Sequence, residues 1–521
     1  ERLADQPPPA GRPHPEDQPR PADSAIMPGR AARYAPPPAR AGSGGAARAS
    51  RQGRPRPRLP AGSFKVTRAG LALAGVLVAA AGALVGITRV LPAAKAPAAP
   101  AAEAPYAGRW VCPTLPRLPG AVTVTNVGAA PATLRTQVTP APRPAAGAGR
   151  PQRAAGAGAG TLAPGATRKI TVNPSTAAGF VQVEAFGAPI AVASAQQPSC
   201  APGPGDRWWL PGLTASSTTR SDLVLANPDS VDATVAITPH LTEGSIHPTP
   251  LQNIFIPAGT SVVKTIDVPD VQTLPFTAEV VATSGRVVTG ALVTTKTGRQ
   301  TTQVLVPGQP TARSSWAFTG GLGQGVDSVD VLLANPNQGP LTVVAHATTD
   351  QGTFKAPGFD LPIADGAASV IRVPLNPGRT GAFSLLLESR DGVKFVAALR
   401  LQGGGSTASF FETGGTSDDA RWLLPEAPGS GRLVLANVSD EPVTAELSSL
   451  GSPGRTGSSV TVPPGKVRLQ AVPAGSRSVL VTASRPGMVA APLGGGQVVP
   501  GSQVGGLPVD GPVVPGPAAA P

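Results

Sequence analysis

The stretch LVLANPDS, Leu223–Ser230, recurs along the chain, and its recurrence decides the fold. Close copies are VLLANPNQ at Val331–Gln338 and LVLANVSD at Leu433–Asp440, and a weaker copy is VTVTNVGA at Val122–Ala129. An apolar run that ends in Asn-Pro is typical of a strand end, because proline cannot donate to a sheet ladder and the asparagine side chain can bond the backbone of a turn. We therefore interpret the repeated asparagine as scaffold, with a ligand contact as the alternative.

Two further markers accompany each copy of this phrase. A tryptophan precedes the asparagine by 15 to 19 residues, and a turn of the P-x-G kind follows it. A recurring tryptophan is expected in a core or in the joint between neighbouring domains, and stacking on a sugar ring is the alternative. The spacing predicts one domain written four times, with its markers at Trp110, Trp209, Trp316 and Trp422, at Asn126, Asn227, Asn335 and Asn437, and at Gly165, Gly259, Gly366 and Gly465.

The segments between these markers indicate strands rather than helices. Short runs rich in Val, Leu, Ile and Thr alternate with Pro, Gly and Asn turns about every 8 to 12 residues, which is typical of a β-sandwich of about 100 residues. A glycine-centred pair of strands that resembles a hairpin ends each copy, and the content of 63 Gly and 63 Pro is too high for a helical protein. The sequence predicts an all-β protein of about four tandem Ig-like β-sandwich repeats.

An apolar segment precedes the repeats. Residues 69–88 contain 20 residues without a charge, and as a helix they would span about 30 Å, the thickness of a bilayer core. Residues 1–68 carry 13 Lys and Arg against 5 Asp and Glu, so the positive-inside bias places the N-terminus in the cytoplasm and the repeats outside it. We predict a single-pass protein of the cytoplasmic membrane, with a cleaved signal peptide or a buried core helix as the alternatives.

These observations predict the following organisation. The segments are a disordered basic cytoplasmic arm at 1–68, a transmembrane helix at 69–88, an Ala/Pro linker at 89–105, sandwich 1 at 106–200 with a low-complexity insert at 144–160, sandwich 2 at 205–306, sandwich 3 at 313–412, sandwich 4 at 419–493, and a disordered Gly/Pro tail at 494–521.

The two cysteines, Cys112 and Cys200, bracket the first sandwich. They have no C-x-x-C spacing and no histidine cluster nearby, so a metal site is not expected. Outside the cytoplasm a disulfide between them could persist, and it would stabilise the sandwich by about 4 to 5 kcal/mol in the chain-entropy model. We predict this disulfide.

Candidate catalytic chemistry is sparse. None of the four histidines recurs across the repeats, and His240 and His247 beside Glu243 fit no metal-ligand spacing. Catalytic and nucleotide-binding motifs such as G-x-S-x-G and the P-loop are missing. The basic arm has one Tyr, one Phe and no Trp for base stacking, so attraction to membrane lipid is favoured over nucleic acid. We predict no catalytic residues, no cofactor and no metal.

The chain resembles an uncharacterised actinobacterial family of single-pass envelope proteins that carry a domain of unknown function. The resemblance covers about Tyr106–Gly496 and rests on WVCP with a later partner cysteine and on the repeated W-x-LP and LVLANP phrases. It implies a link to envelope polysaccharide and to a membrane glycosyltransferase, but no activity. The insert and Val438, which replaces the proline of the phrase, depart from the pattern.

Together these features predict a non-enzymatic, membrane-anchored extracytoplasmic scaffold or interaction protein of the cell envelope. Two alternatives stay open: a transmembrane sensor that relays its state through the basic arm, and a cell-wall-acting hydrolase, which would need a clustered acid/base pair.

Overall fold

The computed structural model describes most of the repeat region, and all of the described residues belong to one compact unit, Ala98–Pro521. The predicted arm, transmembrane helix and linker, and nearly all of the tail, lie outside the described residues. Among the described residues no helix is long and apolar enough to cross a membrane. The described ranges are 107–115, 120–140, 158–172, 179–195, 200–267, 275–321, 326–374, 381–403, 411–412, 420–424, 431–450, 457–472, 476, 478–493 and 499–500.

The described residues are all-β apart from one 3-10 turn, Thr249–Leu251. Sandwich 1 contains β1 Ala107–Thr114, β2 Gly120–Asn126, β3 Ala132–Pro140, β4 Gly158–Leu162, β5 Thr167–Val172, β6 Gly179–Phe186 and β7 Ile190–Ala195. Sandwich 2 contains β8 Arg207–Leu213, β9 Thr219–Asn227, β10 Ala233–Leu241, β11 Gly244–Ser245, β12 Ile254–Ile256, β13 Thr260–Ile266, β14 Phe276–Ser284, β15 Val288–Thr297 and β16 Gln300–Pro307.

Sandwich 3 contains β17 Ser315–Gly321, β18 Val326–Ala334, β19 Val343–Thr349, β20 Gly352–Lys355, β21 Ala368–Pro374, β22 Ala382–Ser389, β23 Val396–Gly403 and β24 Phe411–Glu412. Sandwich 4 contains β25 Arg421–Leu424, β26 Arg432–Asn437, β27 Val443–Leu450, β28 Gly457–Val462, β29 Lys466–Ala471, β30 Ser478–Ala483, β31 Met488–Pro492 and β32 Val499–Pro500. The last three residues of the predicted insert therefore belong to β4.

These strands form eight antiparallel sheets, two in each sandwich. We call the sheet that contains the tryptophan strand the Trp sheet and the sheet that contains the recurring asparagine the Asn sheet. The Trp sheets have the orders β1-β6-β3-β4, β11-β10-β14-β8 with β12 beside β10, β17-β22-β19-β20 and β28-β27-β30-β25-β32. The Asn sheets have the orders β5-β2-β7, β13-β9-β15-β16, β21-β18-β23-β24 and β29-β26-β31.

The strand order differs from that of an immunoglobulin domain. In an immunoglobulin sandwich the first strand pairs with the second, whereas here β1 pairs with β6 and β8 pairs with β14. The prediction of a glycine-centred hairpin is also wrong, because β14 and β15 lie in different sheets of sandwich 2. The segment around Gly285 therefore crosses from the Trp sheet to the Asn sheet instead of reversing within one sheet.

The continuous apolar runs of the repeated phrase follow from burial on both faces of the strand. In β9, Leu223 and Leu225 belong to the core of sandwich 2, while Val224 between them packs with Leu115 of sandwich 1. Successive side chains of a strand point to opposite faces of the sheet. An alternating pattern would therefore leave one of these packed faces polar. The continuous apolar run places apolar side chains on both faces.

Consecutive sandwiches pack in the same way: the Trp sheet of each sandwich contacts the Asn sheet of the next. Val111 of the first Trp sheet extends the hydrophobic core of sandwich 2. Trp209 of the second Trp sheet packs with Ala334 and Val396 of sandwich 3. Ala317 of the third Trp sheet belongs to the cluster of sandwich 4.

The same kind of contact joins the last sandwich to the first. Leu423, Leu450 and Leu480 of the Trp sheet of sandwich 4 belong to the hydrophobic cluster of sandwich 1 rather than to their own core. A Cβ atom placed on Gly165 of sandwich 1 would lie 3.7 Å from Leu450 Cδ2. The four sandwiches thus close into a ring. We call the contact between sandwich 4 and sandwich 1, centred on these three leucines, the closing joint.

Candidate functional site

The recurring asparagine is buried in all four sandwiches, with at most 1% of its surface exposed. In sandwich 2, Asn227 Nδ2 donates to Val231 O at 2.7 Å and to Ile256 O at 3.2 Å, and Oδ1 accepts from Asp229 N at 3.1 Å. Asn126, Asn335 and Asn437 make equivalent bonds. Each donates to the carbonyl four residues later and to a carbonyl just before the P-x-G turn, and each accepts from the amide two residues later. Since these bonds use both ends of the amide, the asparagine joins two loops of its own sandwich.

The recurring tryptophans also bond within their sandwiches. The indole N–H of Trp208 donates to Val287 O at 2.7 Å, just before β15 begins. Trp316 and Trp422 make the equivalent bonds to Phe395 O and Met488 O, at 2.9 and 3.0 Å. Trp110 is fully buried, and its Nε1 has no hydrogen-bond partner among the described residues.

The marker of the second repeat is Trp208, and the assignment to Trp209 is corrected. Trp208 is opposite Val280 in the register of β8 with β14, as Trp316 is opposite Leu387 in sandwich 3. Trp209 points to the other face of the sheet, where it packs on sandwich 3 in the hydrophobic cluster described above. One of the two adjacent tryptophans therefore fills the core and the other fills the joint.

The predicted disulfide is confirmed. Cys112 and Cys200 are bonded, and both are buried. Next to them, the backbone of Val111 pairs with that of Ala201 through two hydrogen bonds of 2.9 Å. The bond therefore holds the end of sandwich 1 against its first strand at the point where the chain enters sandwich 2.

The joint between sandwiches 2 and 3 contains a polar cluster centred on His240. His240 is 5% exposed; its Nδ1 lies 2.8 Å from Gly366 O of sandwich 3 and its Nε2 lies 3.1 Å from Glu279 Oε2. Arg207 Nε lies 3.3 Å from the other oxygen of Glu279, and the Trp209 ring lies 5.4 Å from the imidazole. Both neighbours of the imidazole, a backbone carbonyl and a carboxylate, are hydrogen-bond acceptors.

The hydrogen bonds of His240 do not involve the other residues of its sequence cluster. His247 instead lies 3.3 Å from Thr238 Oγ1, and the described residues contain no group of three or more His, Cys, Asp or Glu that could hold a metal ion. The His240 nitrogens face a carbonyl and a carboxylate across the joint. The arrangement therefore connects sandwiches rather than presenting a ligand set.

A buried carboxylate in sandwich 3 was missed by the sequence analysis. Asp330, 1% exposed, is bonded by Arg372 Nε at 3.0 Å and by Arg400 Nη2 at 2.7 Å from the strands on either side. Burial acts to raise the pKa of Asp330, but the hydrogen bonds and charges of the two arginines outweigh it and lower that pKa below its usual value. The available signal was an acidic residue inside an apolar strand, five residues before the recurring asparagine, where sandwich 2 has Asp222.

A polar groove of about 430 Å³ lies on the Trp sheet of sandwich 4. Hydroxyl groups dominate its lining, and its one carboxylate belongs to Glu446. Neither a histidine nor a second acidic side chain is among the lining residues that the structure describes. The lining consists of Thr444, Glu446, Gly457, Ser458, Ser459, Thr482, Ala483 and Ser484.

Comparison with known proteins identifies one related segment. No curated protein and no solved structure matches the chain. Residues 196–428, less than half of the chain, match the model of a family of unknown function, DUF5719. The match contains sandwiches 2 and 3 and the first strand of sandwich 4, so this central part of the ring is similar to an uncharacterised domain family.

Proposed function

We propose that the protein is a non-enzymatic scaffold or interaction protein of the cell envelope. One observation carries the proposal: the side chains that recur in every sandwich bond or pack inside the fold. Asn227 bridges two loops of its own sandwich, and Trp208 donates to a carbonyl of its own core. A repeated binding or catalytic site would need recurring polar groups that face outward, and these recurring groups face inward.

The proposed location is the outer side of the cytoplasmic membrane. Residues 69–88 would anchor the chain as a single-pass helix, and the basic arm would lie inside against membrane lipid. The bond between Cys112 and Cys200 supports this location, because structural disulfides persist in oxidising compartments and are rare in the cytosol. The link to envelope polysaccharide or a membrane glycosyltransferase rests on the family resemblance.

The surface proposed for partners is formed by loops that differ between the copies. In sandwich 2 the loop after the asparagine and the neighbouring strand β12 carry two exposed apolar side chains, Val231 at 60% and Phe255 at 58% exposure. These positions correspond to Gly339 and Pro362 in sandwich 3, counted from its asparagine and its P-x-G turn. Exposed apolar and aromatic side chains are typical anchors of protein interfaces, so we propose that sandwich 2 supplies the main contact.

Crosslinking in intact cells followed by mass spectrometry tests this function. The wild-type chain should capture a reproducible set of envelope proteins or glycans, and the double variant Val231→Ser with Phe255→Ser should reduce their recovery about tenfold. The matched control is Leu361→Ser, which removes an apolar side chain of 78% exposure from sandwich 3 and should leave recovery unchanged.

Other outcomes would favour the alternative functions. Equal recovery with all three chains would exclude the proposed surface. Turnover of peptide or glycan fragments by the purified protein would contradict the scaffold and favour a hydrolase. Loss of a cellular response after deletion of residues 1–60, with capture unchanged, would favour a sensor.

A further inference from the structure

The closing joint lacks the covalent support that consecutive sandwiches have. Sandwich 1 leads into sandwich 2 through the disulfide and the Val111–Ala201 backbone pair. Sandwich 2 leads into sandwich 3 through residues 308–314, where the backbone of Gln309 pairs with Trp209 at 2.9 and 2.8 Å and the Gln309 side chain donates to Ala397 O at 2.8 Å. Sandwich 4 and sandwich 1 lie at opposite ends of the repeat region, so no short linker holds them together.

The polar contacts of the closing joint are also weaker than those of an equivalent joint. Between sandwiches 1 and 2, Arg109 Nη1 bonds Asp229 Oδ1 at 2.8 Å and Nη2 donates to Pro228 O at 2.8 Å. In the closing joint the corresponding donor is Arg421, the residue before the recurring tryptophan. Its Nη2 donates to Val127 O at 3.5 Å, which is the limit of a hydrogen bond.

The partner carboxylate is missing from the closing joint as well. The position of Asp229, two residues after the recurring asparagine, is Gly128 in sandwich 1. Among the described residues no carboxylate lies within ion-pair distance of Arg421, and burial lowers the pKa of this guanidinium. The closing joint therefore depends mainly on its three leucines.

We propose that the closing joint opens reversibly and that its two faces then pair with those of a second copy of this chain. Every joint brings a Trp sheet onto an Asn sheet, so the free Trp sheet of sandwich 4 fits the free Asn sheet of sandwich 1 in another molecule. This contact is head-to-tail, and two open chains that exchange ends can close again as one ring of eight sandwiches. Closure within one chain dominates when the chains are dilute, because linked faces have a higher effective concentration than the faces of separate chains.

Cysteine exchange between two chains tests the proposal directly. One full-length chain carries Gly165→Cys, a second carries Leu450→Cys with a different tag, and the mixture is oxidised with an added oxidant. A Cβ on Gly165 lies 3.7 Å from Leu450 Cδ2, so position 165 of one chain lies beside position 450 of the other only where a closing joint forms between them. The readout is the disulfide heterodimer that carries both tags.

A tethered joint supplies the matched control pair, Gly366→Cys and Ser245→Cys. A Cβ on Gly366 lies 3.6 Å from Ser245 Cβ, within the usual range for a disulfide. Gly366 has φ +62° and Gly165 has φ +70°, so the backbone strain of the cysteine is the same in both experiments. We expect at least tenfold more heterodimer from the closing-joint pair, and equal yields from the two pairs would overturn the proposal.

Two further measurements complete the test, and the second does not depend on a cysteine at Gly165. A single chain with Gly165→Cys and Leu450→Cys should form its disulfide internally, and failure to do so would exclude the closed ring itself. Leu450→Asp should increase the radius of gyration of the full chain in small-angle scattering, whereas Thr444→Asp, on the same face of the same strand but in the polar groove, should not. An unchanged radius in both variants would also overturn the proposal.

Discussion

Replacing Asn227 with alanine removes a buried amide that bridges two loops of sandwich 2. The three hydrogen bonds, at 2.7, 3.2 and 3.1 Å, are replaced by nothing, because the site is fully buried. At about 1 kcal/mol net for each bond, the variant should lose about 3 kcal/mol of local stability. Since 1.4 kcal/mol corresponds to a factor of ten, amides held by these loops should exchange about 100-fold faster.

Hydrogen–deuterium exchange with mass spectrometry measures this effect sandwich by sandwich, which matters because a chain of several domains does not unfold in two states. The amide of Gly259 is a sensitive reporter, since it donates to Asp229 O at 3.0 Å across the two loops. Peptides from sandwich 3 serve as an internal reference. The control variant is Ser230→Ala, in the same phrase but exposed. Exchange within threefold of wild type in the Asn227→Ala chain would refute the scaffold role of the repeated asparagine.

Three further perturbations test other parts of the fold. Replacing Cys112 and Cys200 with serine should destabilise sandwich 1 by about 4 to 5 kcal/mol, seen as faster proteolysis in sandwich 1 with sandwich 3 unchanged. Asp330→Asn should destabilise sandwich 3 at neutral pH. Because folding lowers the pKa of Asp330, its stabilisation is fully present above the unfolded value near 4 and is lost as the pH falls from there through the folded pKa, so the difference in denaturation midpoint should shrink in acid. His240→Ala should raise exchange at the Gly366 turn about tenfold without affecting sandwich 4, and unchanged exchange there would contradict the described joint.

Local chemistry decides the conformation of the turns that the sequence marks. The Asn-Pro strand end and the P-x-G turn require only neighbouring residues, and Gly165, Gly259, Gly366 and Gly465 all have positive φ, from +57° to +70°. The disulfide was also accessible, because only two cysteines exist. In each case the sequence offers few alternative partners, so the interaction can be predicted from it.

Features that depend on distant pairing were not accessible in this way. Trp208 and Trp209 are adjacent and chemically identical, so only the register of β8 with β14 determines which one enters the core. The two apolar strands around Gly285 have the same sequence pattern whether they pair with each other or lie in opposite sheets. The closing joint brings Val127 to Arg421, 294 residues away, and no local pattern encodes that contact.

The uniform pairing of Trp sheet with Asn sheet has a consequence for how such chains change length in evolution. A unit that presents complementary faces at its two ends can be duplicated or lost without inventing a new interface, because the remaining neighbours still offer one face of each kind. Deleting residues 313–412 would bring the Trp sheet of sandwich 2 to the Asn sheet of sandwich 4. The angle between neighbouring sandwiches then limits the number of copies. Each added or removed unit changes the angle that every joint must adopt for the ring to close.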